Sequence, residues 1–320
     1  MSRGCAQQKV RCASDHVKGL VHIVAGLICA AIFVSSLAVP AYSQTAAHGG
    51  VNTKQLKPAV DRLQDRVFQS ESLAREMHYR ILLPANYEAS ARSYPVLYLL
   101  HGWHGDHTNW TTLTDLTHYA ENLPIIIVMP DAHDSWYVNS ASAPQERFEQ
   151  YIIRDLIAEV DQHWRTLRSP HRRAIAGLSM GGYGAVKFAL KYPGTFGIAG
   201  SISGAFNATE TELSATRADL APSLDSAFGP ANSTVRSEND VYEAVDRVVP
   251  STTAYLYLDC GMRDVSFLQA NRKLVSKLSQ RNLSYEYHET PGAHTWEYWD
   301  TRLPSMLTVI VRKIAAAKAE

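Results

Sequence analysis

Net charge is the first thing this chain lacks: 31 Lys and Arg are balanced by 31 Asp and Glu over 320 residues. That balance gives no electrostatic reason to expect nucleic acid or an anionic membrane surface as a partner. Cysteine is scarce as well. Cys5, Cys12 and Cys29 crowd the N-terminus, and only Cys260 lies beyond it. One thiol excludes an intramolecular disulfide there, so packing must hold the fold unaided. Internal repeats are missing, and only one long apolar run is found, at 20–39. What is present is a globular composition, 46% hydrophobic, which suffices for a sizeable core.

The N-terminus departs from the rest. Arg3, Lys9, Arg11 and Lys18 precede the apolar run, and Pro40-Ala41-Tyr42-Ser43 follows it. A basic part, an apolar part and a small-residue part in that order make an export signal. Residues 1–43 are expected to be a signal peptide cut near Ser43, leaving a secreted or periplasmic protein with no membrane attachment. The competing reading is an uncleaved anchor, since the run is almost long enough to span a bilayer. Residues 44–65 are expected to be a polar linker, and 66–320 a single folded domain.

Within that domain short apolar segments alternate with amphipathic ones. The spacing predicts strands at 77–83, 95–100, 124–129, 174–178, 198–202, 254–258 and 284–288. Helices are predicted at 145–164, 182–190, 266–278 and 297–318. Alternation of this kind gives an α/β fold, a mostly parallel central sheet with helices on both faces. The polar stretch 205–240 reads as an insertion over the sheet edge. In such sheets ligands sit beyond the carboxyl ends of the strands, so chemistry should be sought just after each strand.

Gly177-Leu178-Ser179-Met180-Gly181 lies at such a place, with the form G-x-S-x-G. Between a strand and a helix, this pattern makes a turn so tight that the serine hydroxyl stands alone above the sheet. The bland alternative is a capping serine in a glycine-rich turn. The free N–H groups of the helix start favour negative charge, so the Met180 N–H is a candidate donor to an oxyanion. The second donor should come from the loop after the third strand, which is His101-Gly102-Trp103-His104-Gly105, and the Trp103 N–H is assigned to it. His101, His104 and His107 with Asp106 raise the question of a metal. They lack the helical or paired spacing of a dedicated site, so no metal and no other cofactor is expected.

A serine on such a turn is followed in the chain first by its acid and then by its histidine. His294 fits, in the loop after the last strand, whereas His288 lies within that strand. For the acid, Asp259 and Asp264 both follow the preceding strand. Asp264 is favoured because a loop carboxylate can turn toward the histidine, although a helix cap would also account for it.

These motifs together resemble the esterase D (putative esterase) family. The likeness rests on Leu99-Leu100-His101-Gly102, Met129-Pro130-Asp131, Gly177 to Gly182, Asp259-Cys260-Gly261 with Asp264, and Gly292-Ala293-His294-Thr295-Trp296. It implies an α/β-hydrolase fold without metal, a triad matching Ser179, Asp264 and His294, and oxyanion donors matching Trp103 and Met180. The group includes S-formylglutathione hydrolases, feruloyl and acetylxylan esterases, siderophore esterases and mycolyltransferases. Tyr183 stands where the S-formylglutathione hydrolases usually carry histidine, and the Gly181-Gly182 pair departs from the mycolyltransferases. The expectation is therefore a serine carboxylic ester hydrolase acting on feruloyl, acetyl or short-chain esters, small or polysaccharide-linked. Acyl transfer of the mycolyltransferase type and thioester hydrolysis remain the alternatives. Trp103, Trp110, Trp136, Tyr137 and Trp296 all follow strands; of these, Trp103, Trp136 and Trp296 are expected to contact substrate, together with His133 and its neighbour Asp134.

Overall fold

The sheet is built from apolar segments too short to be buried helices. A computed structural model describes residues 61–317. Its strands are β1 Leu63–Ser70, β2 Arg75–Leu82, β3 Val96–Leu100, β4 Ile126–Pro130, β5 Arg173–Leu178, β6 Ile198–Ile202, β7 Tyr255–Gly261 and β8 Tyr285–Thr290. They form one sheet in the order β1-β2-β4-β3-β5-β6-β7-β8. Strands β3 to β8 run parallel, while β2 pairs antiparallel with β1 and with β4. This is the α/β-hydrolase architecture.

Every residue of β3, β4, β5 and β6 is buried, as covering both faces requires. The period of two distributes them. Val96, Tyr98 and Leu100 enter a core roofed by helices Met180–Lys191 and Leu268–Gln280. Leu97 and Leu99 enter the opposite core, under helix Trp296–Ala316. Helix Met180–Lys191 is buried over almost its whole length, and Lys187 within it donates to Glu149 Oε2 (2.7 Å) and the Tyr137 carbonyl (2.6 Å). That pairing lets a charged side chain lie inside the core.

Three sequence expectations are corrected. The expected linker runs to residue 65, but β1 begins at Leu63, so residues 63–65 belong to the sheet. This edge strand is largely exposed (Val67 is 49% exposed) and has no alternating apolar pattern to announce it. The predicted helix at 145–164 starts at Phe148 and contains a π-helical segment, Tyr151–Leu156, before continuing as Ile157–His163. The wider turn leaves Ile157 half-buried while Tyr151, Ile152, Leu156 and Val160 are buried. The insertion does not cover a sheet edge. It follows β6, which has β5 and β7 on either side, and packs over helix Met180–Lys191. Its apolar residues (Leu213, Leu220, Leu224, Phe228) occur singly, so no run betrayed its short helices. The proposed signal peptide and most of the linker lie outside the described residues. Among the described residues no helix is long and apolar enough to cross a membrane.

Candidate active site

The strand-to-helix turn at the end of β5 is as tight as the glycines permit. Ser179 has φ 52° and ψ −117°, a left-handed conformation that costs a non-glycine residue about 1–3 kcal/mol. Its N–H is held by the Ile202 carbonyl at 3.0 Å, and its carbonyl accepts from Tyr183 and Ala205. A Cβ at Gly177 would lie 2.5 Å from the Gly181 carbonyl carbon, and one at Gly181 would lie 2.5 Å from the carbonyl oxygens of Leu100 and His101. Only glycine fits at both ends of this turn. Met180 is the first helical residue, so the helix provides no acceptor for its N–H.

Two loops bring the partners. Asp264 follows the turn closed by its own N–H on Gly261 O (2.9 Å), and the Arg263 N–H donates to Gly292 O (2.8 Å), which ties the loop after β7 to the loop after β8. His294 Nδ1 is 2.8 Å from Asp264 Oδ2, and His294 Nε2 is 3.0 Å from Ser179 Oγ. The imidazole is wedged between Phe267 and Trp299, each 4.9 Å away by ring centres. Asp264 is 1% exposed. Burial pushes its carboxyl up, but the His294 bond and charge and the Phe267 N–H (3.1 Å) outweigh it and hold the group below its usual range. It therefore stays ionised. Asp259, the other candidate, points elsewhere. It accepts from Arg302 Nε (2.6 Å), Tyr257 (3.1 Å) and Tyr298, and so anchors the C-terminal helix.

The loop after β3 leans on the turn that carries Ser179. A Cβ at Gly102 would meet Leu178 Cδ1 at 2.6 Å and Ser179 Cβ at 3.5 Å. Gly102 O accepts from His101 Nδ1 (2.7 Å) and from the Gly105 N–H (3.0 Å), while His101 Nε2 accepts the Ala132 N–H (2.9 Å). A carbonyl only accepts and an amide only donates, so the ring must be the neutral Nδ1–H tautomer. Burial lowers the His101 pKa and keeps it neutral. In a trans peptide the N–H opposes the C=O, so pinning Gly102 O fixes the direction of the Trp103 N–H.

Above Ser179 opens a cleft of about 350 Å³, whose lining includes Trp103, Trp136, Leu220, Phe267, Trp296 and Trp299. Of the residues expected to contact substrate, Trp103, Trp136 and Trp296 line it. His133 does not; it lines a smaller pocket with Glu146 and Phe148, and its backbone is left-handed (φ 47°). Trp110 and Tyr137 are structural, donating to Leu100 O (3.1 Å) and His101 O (2.9 Å). Sequence reasoning missed Trp299, Phe267, Leu220 and Arg217. Trp299 was findable, three residues past Trp296 on the same helix face. Leu220 and Arg217 come from the insertion, where no motif marks them. His101, His104 and His107 diverge: His101 is buried, His104 stacks on Trp103, and His107 stacks on His78. Among the described residues no group of His, Cys, Asp and Glu is placed to hold a metal ion.

Residues 70–310 match the family described as putative esterase. Esterase MT1326 of Mycobacterium tuberculosis is 32% identical over 253 residues, 72% of this chain. The chain spans 55% of that relative's length. An acetyl esterase of Caldicellulosiruptor saccharolyticus is 25% identical over 67% of this chain and 82% of its own. The fluorophosphonate-binding serine hydrolase F of Staphylococcus aureus, solved with substrate bound, superposes with a TM-score of 0.69 at 27% identity, covering 78% of this chain and 98% of that one.

Proposed function

The chain belongs to the putative esterase family, and from that premise we propose that it hydrolyses carboxylic esters through an acyl-serine intermediate on Ser179. The observation that carries this reading is the unbroken hydrogen-bond line Asp264–His294–Ser179, at 2.8 and 3.0 Å. His294 Nε2 takes the Ser179 proton as Oγ attacks the ester carbonyl. The carbonyl oxygen becomes an oxyanion received by the N–H groups of Trp103 and Met180, each such donor lowering the barrier by about 3–4 kcal/mol. His294 returns the proton to the departing alcohol. Water then attacks the acyl-serine with His294 again as base, releasing the carboxylic acid and restoring the serine. Asp264 keeps the imidazole oriented and stabilises its charged form.

The cleft supports a choice of substrate class. Its tryptophan-rich lining supports small or aromatic acyl groups, and the alcohol is taken to be small or part of a sugar polymer. The named acetyl esterase relative supports the small-acyl choice. Export past a membrane, with cleavage near Ser43, completes the reading; N-terminal sequencing of protein from the culture medium or periplasm tests it.

Ser179→Ala should lower turnover of a p-nitrophenyl acyl ester by about 10⁴–10⁶-fold and abolish labelling by a fluorophosphonate probe. A variant that turns over at the parental rate, or still takes the label, overturns the assignment. Adding an alcohol acceptor and analysing products separates hydrolysis from acyl transfer.

A further inference from the structure

Trp103 lies between two peptides, and each is held from outside it. His101 pins the peptide before Trp103. The peptide after it ends in the His104 N–H, which donates to Asp134 Oδ1 at 2.6 Å across from a different loop. Asp134 Oδ2 is also 3.4 Å from His104 Nε2, and the His104 ring lies 3.6 Å from that of Trp103 by centroids. His104 has φ 58°, an uncommon region for a residue with a side chain, at the third position of the turn that the Gly105 N–H closes on Gly102 O.

The loop that carries Asp134 is suited to be the fixed side of this clasp. His133, Trp136 and Tyr137 in it all have positive φ (47°, 54° and 55°). Three bonds anchor it: the His133 N–H to Asp131 Oδ1 (3.0 Å), Tyr137 OH to His101 O (2.9 Å), and Lys187 Nζ to the Tyr137 carbonyl (2.6 Å). Asp134 and His104 are themselves well exposed, at 37% and 66% of their side chains. An exposed bond of this kind contributes little to stability. Its value is geometric, because a donor must be aimed before the charge develops.

We propose that Asp134 is a positioning residue of the oxyanion hole: by holding residue 104 it braces the 102–105 turn from outside and so reinforces the aim that the bonds on Gly102 O give the Trp103 N–H. This rests on the ester-hydrolase reading above. Without the carboxylate, the 102–105 turn keeps only its own Gly105 N–H to Gly102 O bond and the His101 contact, so the Trp103 N–H is aimed less firmly while the cleft keeps its lining.

The test uses the full chain with Asp134→Ala and Asp134→Asn, p-nitrophenyl butyrate as substrate, and an alkyl trifluoromethyl ketone whose hemiketal oxyanion mimics the intermediate. Loss of a complete donor costs about 10²–10³-fold, so a misaimed one should cost Asp134→Ala about 10–100-fold in kcat/KM. The ketone should bind weaker by the same factor, while inhibition by butyrate, which carries no tetrahedral oxyanion, stays within about threefold. Asp134→Asn keeps an acceptor oxygen and should recover most of the loss. The proposal is overturned if ketone affinity does not change, if butyrate affinity falls with it, or if Ala and Asn behave alike. Should Ser179→Ala remain active, the ester-hydrolase reading fails instead, whatever the 134 variants do.

Discussion

The cleft has a floor and a wall, and they are built differently. The floor is made of residues one to four positions past strand ends: Trp103 after β3, Ser179 after β5, Asp264 after β7, His294 after β8. Ser179 is bonded through its backbone to Ile202 O, Asp264 to Gly261 O, and the Arg263–Gly292 bond ties the loops that carry Asp264 and His294. The wall is the segment after β6, a set of short helices fastened by its own polar contacts. Arg236 donates to Gly229 O and Thr209 O (both 2.9 Å), and Asp240 caps helix Val241–Arg247 and accepts from Thr209 (2.7 Å). A sheet fixes atoms to the tolerance chemistry needs, whereas an inserted segment can change its lining side chains without disturbing that arrangement. The floor should therefore govern turnover and the wall selectivity.

The sharpest way to break this contrast is inside the floor, with two buried carboxylates five residues apart. Asp264→Asn should lower kcat by about 10³–10⁴-fold with little change in melting temperature, because the imidazole loses its orienting charge. Asp259→Asn should do the reverse. It leaves Arg302 without its buried partner and should lower stability by about 3 kcal/mol, while the folded fraction keeps kcat/KM within about threefold. Thermal unfolding and steady-state kinetics on both variants decide it; equal kinetic losses would dissolve the distinction.

A smaller effect concerns the acid limit of the floor. Asp131, after β4, lies within 3.9 Å of His101, His107 and His133. Burial pushes its carboxyl up, but His107, the His133 N–H and the other imidazoles prevail and hold it at about 2, below its ordinary 3.8. A depressed folded pKa contributes stability that is fully present above about pH 4 and is lost as pH falls toward 2, about 2 kcal/mol here. Asp131→Asn should remove that slope from unfolding free energy measured between pH 2 and 5. A variant with the parental slope would show that Asp131 is not its source.

The smallest effect belongs to the wall. Leu220 is buried against the cleft, and Leu220→Ala should enlarge it. Preference for bulky over acetyl esters should shift by about tenfold, with kcat for acetyl esters within about threefold. A general fall in kcat for every ester would mean the wall also shapes the catalytic geometry.

The same contrast explains what could be read in the sequence. Ser179 was legible because its turn requires glycines at fixed positions, and a strand and a helix on either side. His294 and Asp264 were legible by chain order, since each parallel strand delivers its loop to the same rim. Where geometry is not tied to a strand end, the signal vanishes. Arg217 and Leu220 reach the cleft from a segment without periodicity. The left-handed backbone of His133 is a dihedral that no residue type announces. Strand β1 lies on an edge, where burial imposes no alternation.

The left-handed serine has an evolutionary consequence. Substituting glycine at 179 would relieve about 1–3 kcal/mol of backbone strain and so yield a tougher but inert protein. The residue best for durability and the residue best for turnover are different at this one position. Selection for heat resistance alone would push against serine at this position, and on the acyl-serine reading only turnover would keep it there.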